Sequence, residues 1–368
     1  VPKLPEINVE LLERCIAETG WPGVTAAFIR ADGTEVALAA GFADREAGRR
    51  MDPRDRMLAG SIGKTFCAAA ALKLVDGGMI ALDEPIGRFQ AALPWIATLP
   101  NVGELTLRRL LAHRTGLQDF IYTADWRMKW VQRVAEDHDY AQTIEDGIRI
   151  AAEAGPVGPP DAATHYADTN FLIAGRLIEA ASGESYYANL QRAVLDPLRL
   201  AATSPSNVRD LPGLVPGYLR ETLVPYWGVK SVGDDGRLVY NPSWEFTGGG
   251  LVSTPVDLAR FVKALAEGGL LSAPMLAEMK AGWPMEYPLP NHCYGLGLQT
   301  FDTELGPAIG HSGQFFGYRS LAYHFAGSGI AVALQINADV EGLMPTFMRL
   351  AAYAHAEGAA RPSAAVPT

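Results

Sequence analysis

The sequence is short of cysteine, of long apolar runs and of clustered basic residues, and each shortage narrows what the chain can do. Its three cysteines, Cys15, Cys67 and Cys293, are too few and too scattered for a disulfide framework. They show no Cys-x-x-Cys or Cys/His spacing of a zinc site, so no metal and no cofactor is expected. No run of about 18 uncharged apolar residues occurs, so no membrane-spanning helix is expected. The longest candidate, "GIAVALQINA", has the length of a strand. Formal charge is −10, from 31 Lys and Arg against 41 Asp and Glu, with no block of basic residues to neutralise phosphates. A nucleic-acid partner is therefore not expected. With 368 residues, 48% of them hydrophobic and 20% charged, the chain has the composition of an enzyme that buries a sizeable core in one or two domains.

Strand signals gather at the two chain ends. "VTAAFIR" and "EVALAAGFAD" flank the turn-forming Ala31, Asp32 and Gly33 and read as an antiparallel hairpin. Late in the chain "YGLGLQTF", "PAIGHSG", "RSLAYHF" and "GIAVALQIN" read the same way. Between them lie helical patterns such as "KTFCAAAALKLVDGG", with Gly77 and Gly78 placed to stop it, and "TNFLIAGRLIEAASG", stopped by Gly183. The expectation is an α+β fold: an antiparallel sheet built from residues 1–60 and 290–360, a mainly helical insertion over 61–289, a tail over 361–368 and a cleft between the parts. Residues 116–166 and 205–247, rich in Pro, Gly and aromatics, read as long loops.

Residues 58–66, "LAGSIGKTF", carry two incompatible chemistries. Gly63, Lys64 and Thr65 end like a phosphate-binding loop, but that loop needs a glycine five positions before Gly63 and a buried strand ahead of it. Leu58 and "MDPRDRM" stand there instead. The alternative places Ser61 at a helix start with Lys64 one turn later on the same face, so that an amine reaches a hydroxyl and activates it. A helix-capping serine is the structural alternative at this position.

Two further stretches follow in order: "HYADTNFLIAG", with Tyr166 just before an amphipathic helix, and "IGHSGQFFG", with His311, Ser312 and Gly313 on a strand. Together with "SIGK" they resemble the three motifs of the serine β-lactamase and penicillin-binding protein superfamily. The variant is similar to that of DD-peptidases, class C β-lactamases, D-aminopeptidases and family VIII carboxylesterases. "GMIALDEPIGRF", "LTLRRLLAHRTGLQDF", "LDPLRLAAT" and "TGGGLVSTPVDLARFV" extend the likeness over nearly the whole chain. The resemblance implies a metal-free serine hydrolase that cleaves an amide or peptide bond in a small-molecule substrate, of the D-amino-acid amide or small-peptide type, through a Ser61 acyl-enzyme; the alternatives are an ester-cleaving carboxylesterase of family VIII type, a β-lactamase and a weakly catalytic penicillin-binding protein. Lys64 and Tyr166 would share the proton transfers, the amides of Ser61 and Gln314 would form an oxyanion hole, and Asp168, His311, Ser312 and Gly313 would contact substrate. It also implies a periplasmic or secreted rather than cytoplasmic location. His113 is expected to be structural.

Two positions depart from the family pattern. Asp168 stands where Asn is usual; an ionised carboxylate only accepts hydrogen bonds and would hold Lys64 protonated, unless Asp168 or Thr169 serves as a helix cap. His311 stands where class C β-lactamases carry Lys, which favours peptidase, amidase or esterase activity over β-lactamase activity. Aromatics at Phe120, Tyr122, Trp126 and Trp130, at Tyr226, Trp227, Trp244 and Phe246, and at Phe315, Phe316 and Tyr318 are candidates for the cleft wall.

Overall fold

The computed structural model describes residues 4–123, 126–286 and 289–359; the tail expected over 361–368 lies outside them. The described residues open with the helix Leu4–Thr19, which runs into β1 (Gly23–Ile29), β2 (Glu35–Asp44) and β3 (Arg49–Arg50). Three short strands, β4 (Met57–Leu58), β5 (Ser204–Pro205) and β6 (Leu251–Ser253), form a separate small sheet. The last third supplies β7 (Trp283–Pro284), β8 (Cys293–Tyr294), β9 (Gln299–Phe301), β10 (Ala308–Phe315), β11 (Tyr318–Phe325) and β12 (Ile330–Ile336).

Both chain ends enter one nine-stranded sheet of order β3-β2-β1-β12-β11-β10-β9-β8-β7. Its pairings are antiparallel, and β1 joins the ends by pairing with β12 from Val24 opposite Ile336 to Ile29 opposite Ala331. Alternation along β12 explains how both faces are covered. Ile330, Val332, Leu334 and Ile336 pack with Phe347, Leu350 and Leu12 from the two terminal helices. Ala331 and Ala333 face the opposite way, into the core that holds Phe261 of the helix Pro255–Ala266. Small side chains on that face let the helix approach closely. Phe261 in turn stacks on Phe66, ring centroids 3.6 Å apart.

Phe66 belongs to the helix Ile62–Asp76, which is buried at every position from Ile62 to Leu72. A helix apolar all round is one enclosed by protein on all sides, and the run of alanines from Ala68 to Ala71 lets its neighbours come near. The helix Asp168–Ser182 packs beside it and ends at Gly183, whose φ of 73° gives the left-handed cap.

Two expectations need correction. The segment 116–166 is not all loop: it contains the helices Trp126–Glu136 and Ile144–Ala154. The first buries Trp126, Trp130, Val131 and Val134, a one-faced spacing obscured by its charged outer side. The second is capped by Thr143, whose hydroxyl accepts the Asp146 N–H at 3.1 Å. "YGLGLQTF" is not one strand either. It breaks between β8 and β9, where the Gly297 carbonyl accepts the Thr65 hydroxyl at 2.8 Å. A Cβ on Gly297 would lie 2.5 Å from that of Ala68, so the break seats this segment against the nucleophile helix.

Candidate active site

Ser61 directly precedes the helix Ile62–Asp76 and has helical backbone angles, φ −58° and ψ −6°, but its side chain makes no capping hydrogen bond. The hydroxyl points instead into a cavity of about 770 Å³. The loop behind it is held tightly: the Ala59 N–H donates to the Leu251 carbonyl at 2.9 Å, and the Ser320 hydroxyl donates to the Ala59 carbonyl at 2.6 Å. Gly60 has φ 55°, and a Cβ there would stand 2.6 Å from the Gln314 nitrogen. A Cβ on Gly313 would stand 2.0 Å from the Ala59 oxygen. Missing side chains at these two positions bring the β10 backbone and its Gln314 N–H beside the nucleophile loop.

Lys64 lies one helical turn on, with no side-chain exposure. Its Nζ donates to the Ser61 Oγ at 3.2 Å, to the Gly248 carbonyl at 2.6 Å and to the Asp168 carboxylate. Burial disfavours its charge, but the attraction and hydrogen bond of Asp168 outweigh that penalty and hold its pKa above the ordinary value. The amine is therefore an ammonium in the resting site.

Tyr166 reaches the same hydroxyl from the segment ahead of the helix Asp168–Ser182, and its hydrogen bond with Ser61 favours ionisation. Burial and the Asp168 charge work the other way and dominate, keeping the phenol neutral well past its ordinary range. Its ring lies over His113, centroids 4.2 Å apart, and edge-on to Tyr294 at 5.7 Å. His113 is fully buried; its Nδ1 accepts the Ala167 N–H at 3.1 Å and lies 3.1 Å from the Asn170 amide. These contacts fix the backbone just after Tyr166, so His113 is structural in a way that orients the phenol.

Neither Asp168 nor Thr169 caps a helix. Ala167 occupies the cap position without a side-chain bond, the Asp168 carboxylate pairs with Lys64, and the Thr169 hydroxyl donates to the Gln118 carbonyl at 2.9 Å.

Ser312, Gly313 and Gln314 line the cavity, but His311 does not. Its ring is 1% exposed and turned beneath the strand, with Nδ1 2.6 Å from the Ser312 carbonyl and Nε2 3.0 Å from the Tyr294 hydroxyl. The carbonyl can only accept, so Nδ1 carries the proton and Nε2 accepts from Tyr294. Burial depresses the imidazole to about 3, so it is neutral at ordinary pH.

Most of the flagged aromatics pack on each other. Trp126, Trp130, Trp227, Trp244, Phe315 and Phe316 form a continuous cluster; Trp126 and Trp130 stack at 5.7 Å, and Trp130 and Phe316 at 5.6 Å. The edges of Trp126, Trp244, Phe315 and Phe316 reach the cavity, with Tyr122 exposed at its rim. Tyr226 and Tyr318 are not part of the lining.

Three lining carboxyl groups went unread in the sequence: the buried Asp119 and Glu245, and the exposed Glu341. The two buried ones sit in or beside family-like stretches, and the only available signal was an acid next to aromatics, Phe120 after Asp119 and Trp244 and Phe246 around Glu245. Burial and the nearby charge of Asp168 push Asp119 up to about 7 and hold Glu245 well above the usual carboxylate range. No group of three or more His, Cys, Asp or Glu suited to a metal ion occurs among the described residues, and no helix there is long and apolar enough to cross a membrane.

The geometry has counterparts. The model of the beta-lactamase family matches residues 9–355. The chain is 26% identical to penicillin-binding protein 4 of Amycolatopsis lactamdurans over 341 residues, 87% of this chain and 81% of that protein. Among solved structures, a D-stereospecific amidohydrolase from Streptomyces sp. superposes with a TM-score of 0.80 at 28% identity, covering 95% of this chain and 98% of the other. The D-amino acid amidase of Ochrobactrum anthropi SV3 in complex with D-phenylalanine gives 0.80 at 25% identity, over 96% and 99%. The chain thus belongs to the beta-lactamase family and is a serine hydrolase of that superfamily.

Proposed function

We propose that the protein hydrolyses the amide of a D-amino acid, or a small peptide, through an acyl-enzyme on Ser61. The observation that carries this reading is the convergence on one hydroxyl of the Lys64 ammonium at 3.2 Å and the Tyr166 phenol. Ser61 Oγ attacks the carbonyl carbon while the N–H groups of Ser61 and Gln314 take the developing oxyanion. The serine proton passes into the Lys64–Tyr166 pair, and a proton from that pair leaves on the departing amine. Water then attacks the acyl-enzyme by the same route, releasing the acid and restoring the hydroxyl.

In the resting site Lys64 is charged and Tyr166 is neutral. One of them must lose a proton before it can act as base. The Lys64–Asp168 hydrogen bond supplies a path, because moving a proton along it leaves a neutral amine beside Ser61. The named activities of the amidohydrolase and amidase neighbours support an amide substrate. The apolar edges of Trp126, Trp244, Phe315 and Phe316 suit an apolar or aromatic acyl group.

The test is Ser61→Ala assayed on a panel of D-aminoacyl p-nitroanilides, together with fluorophosphonate labelling. Turnover and labelling should both vanish. Labelling that persists on another residue would relocate the nucleophile and end this reading.

A further inference from the structure

The cavity holds a carboxyl group for which acylation has no use. Glu245 lies on its wall between Trp244 and Phe246 and is 7% exposed. Among the described residues no hydrogen bond or ion pair engages its carboxyl; only the charges of Asp168 and Lys64 act on it. A carboxyl group so enclosed resists ionisation without a partner, and burial, with the charge of Asp168, holds Glu245 well above the usual carboxylate range.

The backbone is shaped to put it there. Glu245 ends the short turn Pro242–Glu245, and Phe246 follows with φ 42°, a left-handed angle that a bulky residue adopts only under constraint. A Cβ on Gly249 would be 2.3 Å from the Glu245 Oε1, and one on Gly248 would be 2.9 Å from the Asp168 Oδ1. Two adjacent residues without side chains thus make room for two carboxyl groups. Asp168 is taken by Lys64. Asp119, on the same wall, accepts the Ile121 N–H at 3.2 Å on one oxygen, while its other oxygen is sealed from solvent with no hydrogen-bond partner among the described residues. Of these two buried acids without a counter-ion, Glu245 is the more open to a ligand, 7% exposed against 1% for Asp119, and it lies within electrostatic reach of Lys64, Asp168 and the phenols of Tyr166, Tyr187 and Tyr240.

We propose that Glu245 is a specificity-determining residue that receives a primary ammonium on the substrate, so that the site takes aminoacyl amides and peptides with a free amine and rejects their N-acylated forms. This deepens the hydrolase reading and rests on it. An incoming ammonium supplies the paired counter-charge that no neighbouring side chain among the described residues gives Glu245, while an N-acetyl group would bury a neutral amide against a carboxyl group with nothing gained.

The test uses binding, so that it does not depend on turnover. Affinities of D-phenylalaninamide and N-acetyl-D-phenylalaninamide are measured by calorimetry on Ser61→Ala protein, alone and combined with Glu245→Gln or Glu245→Asp. The free amine should bind more tightly by roughly 100-fold, the scale of a desolvated charge pair. Glu245→Gln should bring the two ligands within about threefold of each other, and Glu245→Asp, which keeps the charge on a shorter arm, should retain part of the preference. Equal binding of both ligands to the parent protein, binding of neither, or a preference that survives Glu245→Gln would overturn the proposal. Fluorophosphonate labelling of Ser61 in the unsubstituted protein reads the hydrolase assignment separately.

Discussion

The carboxylate of Asp168 hydrogen-bonds the Lys64 ammonium inside the site, one helical turn from the nucleophile. The usual asparagine would offer an amide at this point and leave the lysine nearer neutrality, so the substitution changes the protonation state of the group beside Ser61. Burial alone would lower the lysine pKa; the pairing reverses the sign.

Asp168→Asn should therefore move the limb of the pH–rate profile that reports Lys64 to lower pH, since burial then acts on the amine without the opposing carboxylate. Profiles of kcat/KM on a D-aminoacyl anilide, with penicillin acylation followed in parallel, provide the measurement. Acylation by penicillins should rise, because a carboxylate no longer faces the substrate carbonyl. An unmoved limb would mean that Lys64 does not titrate in the rate-limiting step.

Tyr166→Phe retains the ring contact with His113 and removes only the hydroxyl. The rate should fall by roughly 100-fold or more, the usual scale of general acid–base catalysis, with little change in melting temperature. A wild-type rate would take the phenol out of the mechanism.

His113→Phe keeps a ring under Tyr166 but loses the acceptor for the Ala167 N–H. Leaving that buried donor unpaired should cost about 1–3 kcal/mol of stability, read from denaturant unfolding. The misplaced phenol should lower kcat by roughly tenfold with KM little changed. Loss of stability with kcat intact would limit His113 to a scaffold role.

Asp119 has a folded-state pKa of about 7 against an ordinary 3.8, so between those values the native state holds a proton that the unfolded chain has released. Its contribution to stability is then most favourable below about pH 4 and declines as pH rises to about 7. Asp119→Asn removes that decline. Melting temperatures at pH 5 and pH 8 should show a larger gain, or smaller loss, for the variant at pH 8; the reverse order would contradict the shift.

Much of the fold was legible because its signals are local. The β1–β2 hairpin, the three long strands β10 to β12 and the helices stopped at Gly77 and Gly183 all follow from alternation, periodicity and turn residues. The helix Trp126–Glu136 was missed because its aromatics suggested a cleft wall, whereas they form the apolar face of a helix. The break in "YGLGLQTF" was missed because its cause, the Thr65 hydroxyl on the Gly297 carbonyl, joins segments far apart in the chain. The direction of His311 was likewise unreadable, since Tyr294 and the Ser312 carbonyl decide it.

What the sequence determined by itself is the meeting of Ser61 and Lys64, because a three-residue spacing on a helix brings two side chains to one face whatever surrounds them. The sequence likewise shows by itself that it holds no run of about 18 uncharged apolar residues. The tertiary structure alone decided that Lys64 is charged, that His311 turns inward and that Glu245 is left without a partner. Those outcomes depend on burial and on charges contributed from distant segments, and a linear pattern holds no information on how far such groups are from water or from one another.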